Sequence, residues 1–348
     1  MSQVAIVGAG VWGTVFSQIC ADAGASVKLY TPEPEVVSEI NQARTNKRSV
    51  PDLVLPAAVG ATIDPGEALA GADVVAVVVK AQEARSVMAG LAGLIPPKAV
   101  VLSLMKGLEQ GTSMRMSQVL GEVLGLPPDR VAVLSGPNLA LELAKREPGG
   151  TVVACIDERV ARSVGAVFAT GYLRLYSNPD VVGVEICGVV KNVVALAVGA
   201  AKGMGHGMNT QAAFMDRGLA EITRLGLALG ADLETFAGMA GFGDLVATCL
   251  SELSRNQSVG RMLGQGLSVA EALGRIGGTA EAVTSAPAVL DLANSVGVEM
   301  PITEGVVAVV SGQVGVQEMG HRLLTRPFRS EGVRYEQWPT PNGGTAAP

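Results

Sequence analysis

Two polar residues, Lys191 and Asn192, interrupt the otherwise apolar helical run that follows Glu185, Ile-Cys-Gly-Val-Val-Lys-Asn-Val-Val. Such groups do not enter a core unless they are paired. Either Lys191 faces a cleft and exchanges a proton with a substrate oxygen, or the two residues form a solvent-facing stripe. A second cluster reads GMAGFGDLVATCLSELSRNQSVG. Gly241, Gly243 and Asp244 make an acidic turn before an apolar segment, where Asp244 can act as a helix N-cap. Ser254, Arg255 and Asn256 form a compact anion-binding set, because the arginine fork clamps phosphate and the other two complete the hydrogen bonds. The competing reading has SRN ending a helical run. Glu281, after Gly-Gly-Thr-Ala, either accepts from a ribose hydroxyl or caps a helix.

The N-terminus carries a different chemistry. An apolar run from Val4 to Val7 leads into Gly8, Gly10 and Gly13, followed by a helix-compatible stretch to Gly24. This is G-x-G-x-x-G with a strand before and a helix after, the setting that binds a dinucleotide. Gly8 permits the tight turn, Gly10 the approach of a pyrophosphate, and Gly13 close packing of helix on sheet. The first helical N–H groups, from Val11 onward, then face the phosphate charge. Trp12 either packs beside the nicotinamide or against its own helix. No acid immediately follows the second strand; Thr31 can bond either ribose, with Glu33 and Glu35 slightly later. No arginine cluster stands nearby in sequence, so the residues leave NAD and NADP both open.

Later strand ends place further polar groups where ligands bind such sheets. Lys80 and Gln82 follow one strand, and Lys106 and Gly107 follow the next, with a solvated loop as the plain alternative for Lys106. Gly136 and Pro137 then set a turn, and Asn138 is expected to cap the helix after it.

The elements that must hold these residues fall into two regimes. Strands are expected at Gln3–Val7, Ser26–Tyr30, Asp73–Val79, Ala99–Leu104, Arg130–Leu134, Thr151–Ile156 and Tyr172–Tyr176, with helices at Gln82–Leu94, Ser113–Leu124 and Arg159–Phe168. Runs such as VVAVVV read as strands buried on both faces of a doubly wound parallel sheet. Beyond Asp180 the rhythm becomes helical, at Val184–Gly199, Thr210–Leu229, Leu233–Leu250, Val269–Ile276, Thr284–Val296 and Ile302–Ser311. The expected organisation is an α/β, Rossmann-like dinucleotide-binding domain over 1–183, a mainly helical substrate and catalytic domain over 184–330, and a disordered tail over 331–348.

Composition narrows the classes. The 348 residues suffice for two cores, and the 3% aromatic content leaves Val, Leu, Ala, Ile and Met to fill them. A net charge of -6 argues against nucleic acid as main partner. No segment is read as having the uninterrupted apolar length of a membrane span, so none is expected to cross one, and no signal sequence is read at the N-terminus. Cys20, Cys155, Cys187 and Cys249 show no metal-binding spacing and read as reduced core thiols. His206 and His321 form no nucleophilic triad, and no metal site is expected.

Taken together, GAGVWGT, LMKGLE, SGPNLALE, CGVVKNVVALAVG, NTQAAFMDRG, AGFGDL and SRN resemble, in order, the bacterial NAD(P)-dependent glycerol-3-phosphate dehydrogenases from residue 3 to about 315. The resemblance implies reversible oxidation of sn-glycerol 3-phosphate to dihydroxyacetone phosphate with NAD or NADP. It also implies a cytoplasmic homodimer supplying glycerol 3-phosphate for phospholipid synthesis. It makes Lys191 the proton donor and acceptor, with Asp244 in its polar network and Lys106 contacting substrate oxygen. Ser254, Arg255 and Asn256 then hold substrate, with Gly136 and Asn138 on the substrate side. Gly8, Gly10, Val11, Trp12, Gly13, Thr31, Lys106, Ala140, Arg255 and Glu281 fall on cofactor positions. Four departures stand out. Val11 replaces a common serine, Asn138 another serine, Thr31-Pro32 a basic residue, and Glu281-Ala282 a Glu-Gly pair. The rival readings are oxidation of another small hydroxy acid and a redox sensor that binds NAD(H) without turnover.

Overall fold

A computed structural model describes residues 1–277 and 280–325. The expected tail at 331–348 lies outside the described residues. The chain divides into two compact units: Met1–Glu109 with Met114–Val181, and the described residues from Val182 onward together with Gln110–Ser113. The second unit thus borrows a short segment from the first half, where Gln110 Nε2 donates to the Thr284 carbonyl at 2.8 Å.

The first unit is an eight-stranded sheet covered by helices. Its strands are β1 (Gln3–Val7), β2 (Ser26–Tyr30), β3 (Val59–Thr62), β4 (Val74–Val77), β5 (Val100–Ser103), β6 (Val131–Ser135), β7 (Gly149–Ala154) and β8 (Leu173–Asn178). They lie in the order β3-β2-β1-β4-β5-β6-β7-β8. Every pairing is parallel except β6 with β7, so the expectation of an all-parallel sheet is corrected at that junction. Only the short turn of helix Ala140–Ala144 lies between β6 and β7, too little for a parallel crossover. β3 escapes the sequence reading because Val-Gly-Ala-Thr carries little apolar signal. The central strands are buried on both faces, by Phe16, Ile19 and Ile40 on one side and by Met88, Met116 and Leu120 on the other. The strand order turns back at β1, which sits between β2 and β4, and the glycine loop leaves β1 at that point.

The second unit is helical. A long helix, Val181–Gly203, is followed by Met208–Ala228, Leu233–Ala237, Asp244–Leu250, Arg255–Gly264, Val269–Ile276, Glu281–Ser295, Pro301–Val310 and Val316–Leu324. The single helix expected over Leu233–Leu250 is instead two, separated by a π-helical turn at Met239–Gly243. A Cβ on Gly241 would stand 2.3 Å from the Phe236 carbonyl oxygen, so this tight reversal needs glycine. The expectation of no membrane-length segment is also corrected: Val181–Gly203 is long and apolar enough to cross a bilayer. Its apolar residues, among them Val190, Val193, Val194 and Leu196, are buried in the fold, which accounts for the composition without a bilayer.

The glycines in these helices serve close approach. A Cβ on Gly199 would stand 2.1 Å from the Gln257 carbonyl oxygen, and one on Gly260 would stand 1.9 Å from that of Leu196. Helices Val181–Gly203 and Arg255–Gly264 therefore touch backbone to backbone, which fixes the SRN segment relative to the helix bearing Lys191.

Candidate active site

In the sheet unit, the Gly8 amide donates to the Tyr30 carbonyl at 3.0 Å and ties the loop to the end of β2. Gly8 has φ +118°, and a Cβ there would stand 2.5 Å from the Val78 carbonyl oxygen. A Cβ on Gly13 would stand 2.0 Å from the Gly8 carbonyl oxygen, whereas one on Gly10 would meet nothing within 4 Å. Two glycines thus close the turn against the sheet, and the third opens to space that a pyrophosphate can enter. Helix Val11–Asp22 starts beside it, and its first N–H groups precede the intrahelical ladder, which Thr14 begins by donating to the Gly10 carbonyl. This open, donor-lined cradle with no acidic residue in the first turn fits a dinucleotide. Val11 is exposed at the helix start; Trp12 is half-buried and packs on Phe16, with ring centroids 5.9 Å apart. Thr31 is buried, and its amide donates to the Thr62 carbonyl at 3.3 Å.

Lys106 Nζ donates to the Gly136 carbonyl at 3.0 Å. Gly136 has φ +147°, and a Cβ there would press within 3.0 Å of Thr151 Cα, so glycine holds the turn that aims this carbonyl. Asn138 is not the expected cap. Leu139 holds the cap position of helix Ala140–Ala144, and Asn138 Nδ2 donates to Thr151 Oγ1 at 2.9 Å, which in turn donates to the Ser135 carbonyl. Asn138 Oδ1 and Ser135 Oγ are buried without hydrogen-bond partners among the described residues. Ala140 opens the helix, half-buried against the core.

In the helical unit, Lys191 is 5% exposed and its Nζ donates to Asp244 Oδ1 and, at 2.7 Å, to Thr248 Oγ1. The solvent-stripe reading of Lys191 is therefore corrected: the ammonium is buried because a carboxylate and a hydroxyl compensate its charge. Asp244 is 1% exposed and is not an N-cap; Gly243 holds that position, and the carboxylate is committed to Lys191. Burial pushes the neighbouring Cys249 thiol up to about 12, with the Asp244 charge adding and the Lys191 charge opposing, so it stays protonated beside the pair. Asn192 Nδ2 turns back to the Gly188 carbonyl at 3.3 Å.

Ser254-Arg255-Asn256 begins a helix instead of ending one. Ser254 is the N-cap of Arg255–Gly264, its hydroxyl accepting from the Gln257 amide at 3.3 Å. Asn256 Oδ1 accepts from the Ala282 amide at 3.0 Å and so pins the start of helix Glu281–Ser295. Arg255, the first helical residue, is exposed and makes no ion pair among the described residues. Glu281 is likewise a first helical residue and not a cap, since Ala280 holds that place.

Residues 3–161 match the NAD-dependent glycerol-3-phosphate dehydrogenase N-terminus family, and residues 180–321 match its C-terminus counterpart. The chain belongs to this family. It is 51% identical over 311 residues to the glycerol-3-phosphate dehydrogenase [NAD(P)+] of Thermobifida fusca, covering 89% of this chain and 93% of that one. It is also 51% identical over 324 residues to that of Streptomyces griseus, covering 92% and 96%. A crystal structure of glycerol-3-phosphate dehydrogenase from Coxiella burnetii superposes with a TM-score of 0.89 at 34% identity, covering 93% of this chain and 99% of that one.

Two residues of this dehydrogenase-family chain were missed in the sequence. Thr248, four residues beyond Asp244, lies on the same helix face and supplies the second acceptor for Lys191. The i, i+4 spacing was the available signal. Arg48 pairs with Glu33 beyond the end of β2, although 15 positions separate the two in sequence. No local pattern marks it, because the chain between them forms helix Pro34–Ala43 and a turn.

Proposed function

We propose that Lys191 is the proton donor and acceptor in the NAD(P)-dependent interconversion of dihydroxyacetone phosphate and sn-glycerol 3-phosphate, the reaction of this family. The observation that carries the assignment is a buried lysine held by Asp244 and Thr248 in a mostly apolar helix. When bound, NAD(P)H supplies the hydride that reduces the ketone carbon. Gly8, Gly10, Gly13 and the amides of Val11 and Trp12 would hold its pyrophosphate.

The chain's own part is positioning and proton transfer. During reduction Lys191 Nζ gives a proton to the carbonyl oxygen as that oxygen becomes an alcohol; in oxidation it takes the proton back. Asp244 and Thr248 hold Nζ in one place, so the donor is preorganised. Arg255, exposed and without an ion-pair partner among the described residues, clamps the substrate phosphate through its planar fork. Ser254 and Asn256, spent on capping two helices, fix where that arginine starts. Lys106, steadied by the Gly136 carbonyl, stabilises negative charge on substrate oxygen. Asn138, half-buried two residues beyond Gly136, is assigned a substrate contact on the family pattern. Thr31 contributes to ribose binding near the end of β2, and Ala140 and Glu281 line the cofactor through their helix starts. We extend the family reading to a cytoplasmic homodimer that supplies glycerol 3-phosphate for phospholipid synthesis.

The test follows NADH and NADPH absorbance with purified protein and dihydroxyacetone phosphate, using dihydroxyacetone as control. Phosphate-dependent oxidation of either cofactor is expected. Equal rates with both ketones, or none with either, would overturn the reading. Sedimentation velocity tests the dimer: a mass near twice 35.5 kDa is expected, and a monomer refutes it.

A further inference from the structure

The segment after helix Pro34–Ala43 is fastened to the glycine loop. Asn46 is fully buried, and its Nδ2 donates to the Ala9 carbonyl at 2.8 Å and to Thr14 Oγ1 at 2.9 Å. Ser49 Oγ donates to the same Ala9 carbonyl at 3.1 Å. Glu39 Oε1 accepts from the Lys47 amide at 2.9 Å and from the Thr45 hydroxyl at 2.8 Å, which closes the turn from the other side. Arg48 is thereby held between two residues that both grip the nucleotide loop. Its guanidinium forms an ion pair with Glu33, which occupies the N-cap position of helix Pro34–Ala43 just past β2. The Glu33 side chain makes no cap hydrogen bond and is spent on Arg48. Both side chains remain partly exposed, at 63% for Arg48 and 37% for Glu33, so a ligand can reach them.

In a Rossmann unit the acid about 20 residues beyond the fingerprint takes the ribose 2′-hydroxyl of NAD, and an arginine nearby takes the 2′-phosphate of NADP. Glu33 has that spacing from Gly13. Thr31 and Pro32, directly after β2, offer no cation. We propose that Glu33 and Arg48 form a two-way reader of the adenine ribose, in which Arg48 receives the 2′-phosphate of NADP and Glu33 the 2′-hydroxyl of NAD. This inference rests on the dinucleotide reading of the glycine loop. Each cofactor uses one member of the pair. The 2′-phosphate must draw Arg48 away from Glu33 and sit near that carboxylate, whereas NAD leaves the cation in place. The pair therefore admits both cofactors and sets their ratio by the balance between one attraction and one repulsion.

Direct binding reads this without turnover. NADPH and NADH are titrated separately by nucleotide fluorescence against wild type, Arg48→Ala, Arg48→Lys and Glu33→Gln. Arg48→Ala should weaken NADPH at least about tenfold, the loss of one charge-assisted fork. NADH should stay within about twofold, which also certifies an intact loop. Arg48→Lys should recover part of the NADPH affinity as a point charge. Glu33→Gln should tighten NADPH and weaken NADH. If wild type binds both and Arg48→Ala weakens both equally or neither, the reader is overturned while the dinucleotide reading stands. If wild type binds neither, both fall.

Discussion

Lys191→Ala tests whether the buried lysine is chemistry or architecture, because the structure assigns it a cost in each. Its ammonium and the Asp244 carboxylate are 7% and 2% exposed at the side chain. Removing one partner of such a pair leaves an uncompensated charge, worth about 3–5 kcal/mol of stability. Thr248, whose hydroxyl lies 3.3 Å from Asp244 Oδ1, covers only part of that loss. For a unit of this size the shift corresponds to roughly 6–20 °C in Tm, within the total stability of an ordinary domain. Loss of a positioned general acid should lower kcat by about 100- to 10,000-fold. The double variant Lys191→Met with Asp244→Leu separates the two. Replacing both charges by apolar groups of similar size should restore much of the stability and none of the activity. Urea unfolding and NADH oxidation with dihydroxyacetone phosphate, measured on all three proteins, give both readouts. A Lys191→Ala enzyme within about threefold of wild-type kcat would refute the proton-transfer assignment. A double variant no more stable than Lys191→Ala would refute the buried-pair energetics.

Other positions make sharper distinctions than loss of function alone. Gly10→Ala should fold with near-normal Tm, since its Cβ meets nothing within 4 Å, yet bind NADH poorly by calorimetry; Gly13→Ala should lose stability first, because its Cβ would overlap the Gly8 carbonyl. Arg255→Ala should lower kcat/KM for dihydroxyacetone phosphate roughly 10- to 150-fold, the worth of a charged hydrogen bond, with stability changed by no more than about 0.5 kcal/mol at this exposed site; unchanged KM and kcat/KM would reject the phosphate clamp. Glu221 is raised to about 7 by burial, with the Ile302 and Thr303 amides and the Thr303 hydroxyl pulling the other way. Its folded form therefore holds a proton that the unfolded chain releases near 4.5, so stability contributed at low pH falls as pH rises toward 7, by roughly 3 kcal/mol across the window. Glu221→Gln should flatten that slope in urea unfolding; parallel curves for the two proteins would contradict it.

What the sequence reveals of this fold depends on whether one element or several create a feature. β1 and β2 are legible to the residue, because Val4–Val7 and Ser26–Tyr30 each carry their own apolar pattern and end at a turn. Helix Val269–Ile276 is legible for the same reason, with Ser268 and Glu271 forming a reciprocal cap. The antiparallel step between β6 and β7 is not, since nothing in either strand encodes its direction. Helix Arg255–Gly264 is hidden by its own composition. Two of its glycines disfavour helix taken alone, yet they are the residues that admit a second backbone at contact distance. Local propensity and tertiary packing thus pull in opposite directions, and packing wins.

The site divides along the same line. Gly8, Gly10 and Gly13 are readable because strand, turn and helix are contiguous, and the structure adds only which glycine faces open space. Lys191 is readable as an anomaly, a charge in an apolar run, but its meaning is not, since the compensating Asp244 lies 53 positions away. The same residues look like caps when read locally. Asp244 at a helix start and Asn138 after a turn both satisfy the rule for an N-cap, and both instead send their side chains to distant partners. Ser254 reverses the case, since it does cap, but it caps a helix running forward from SRN and not one ending there. A capping residue is defined by which amide it reaches, and sequence supplies only the residue. The catalytic assignment therefore rests on an observation that spacing could not supply: the carboxylate that a local cap rule sends to a backbone amide is instead buried against an ammonium. That arrangement costs desolvation of two charges, and it is the reason Lys191→Ala and the double variant must behave differently.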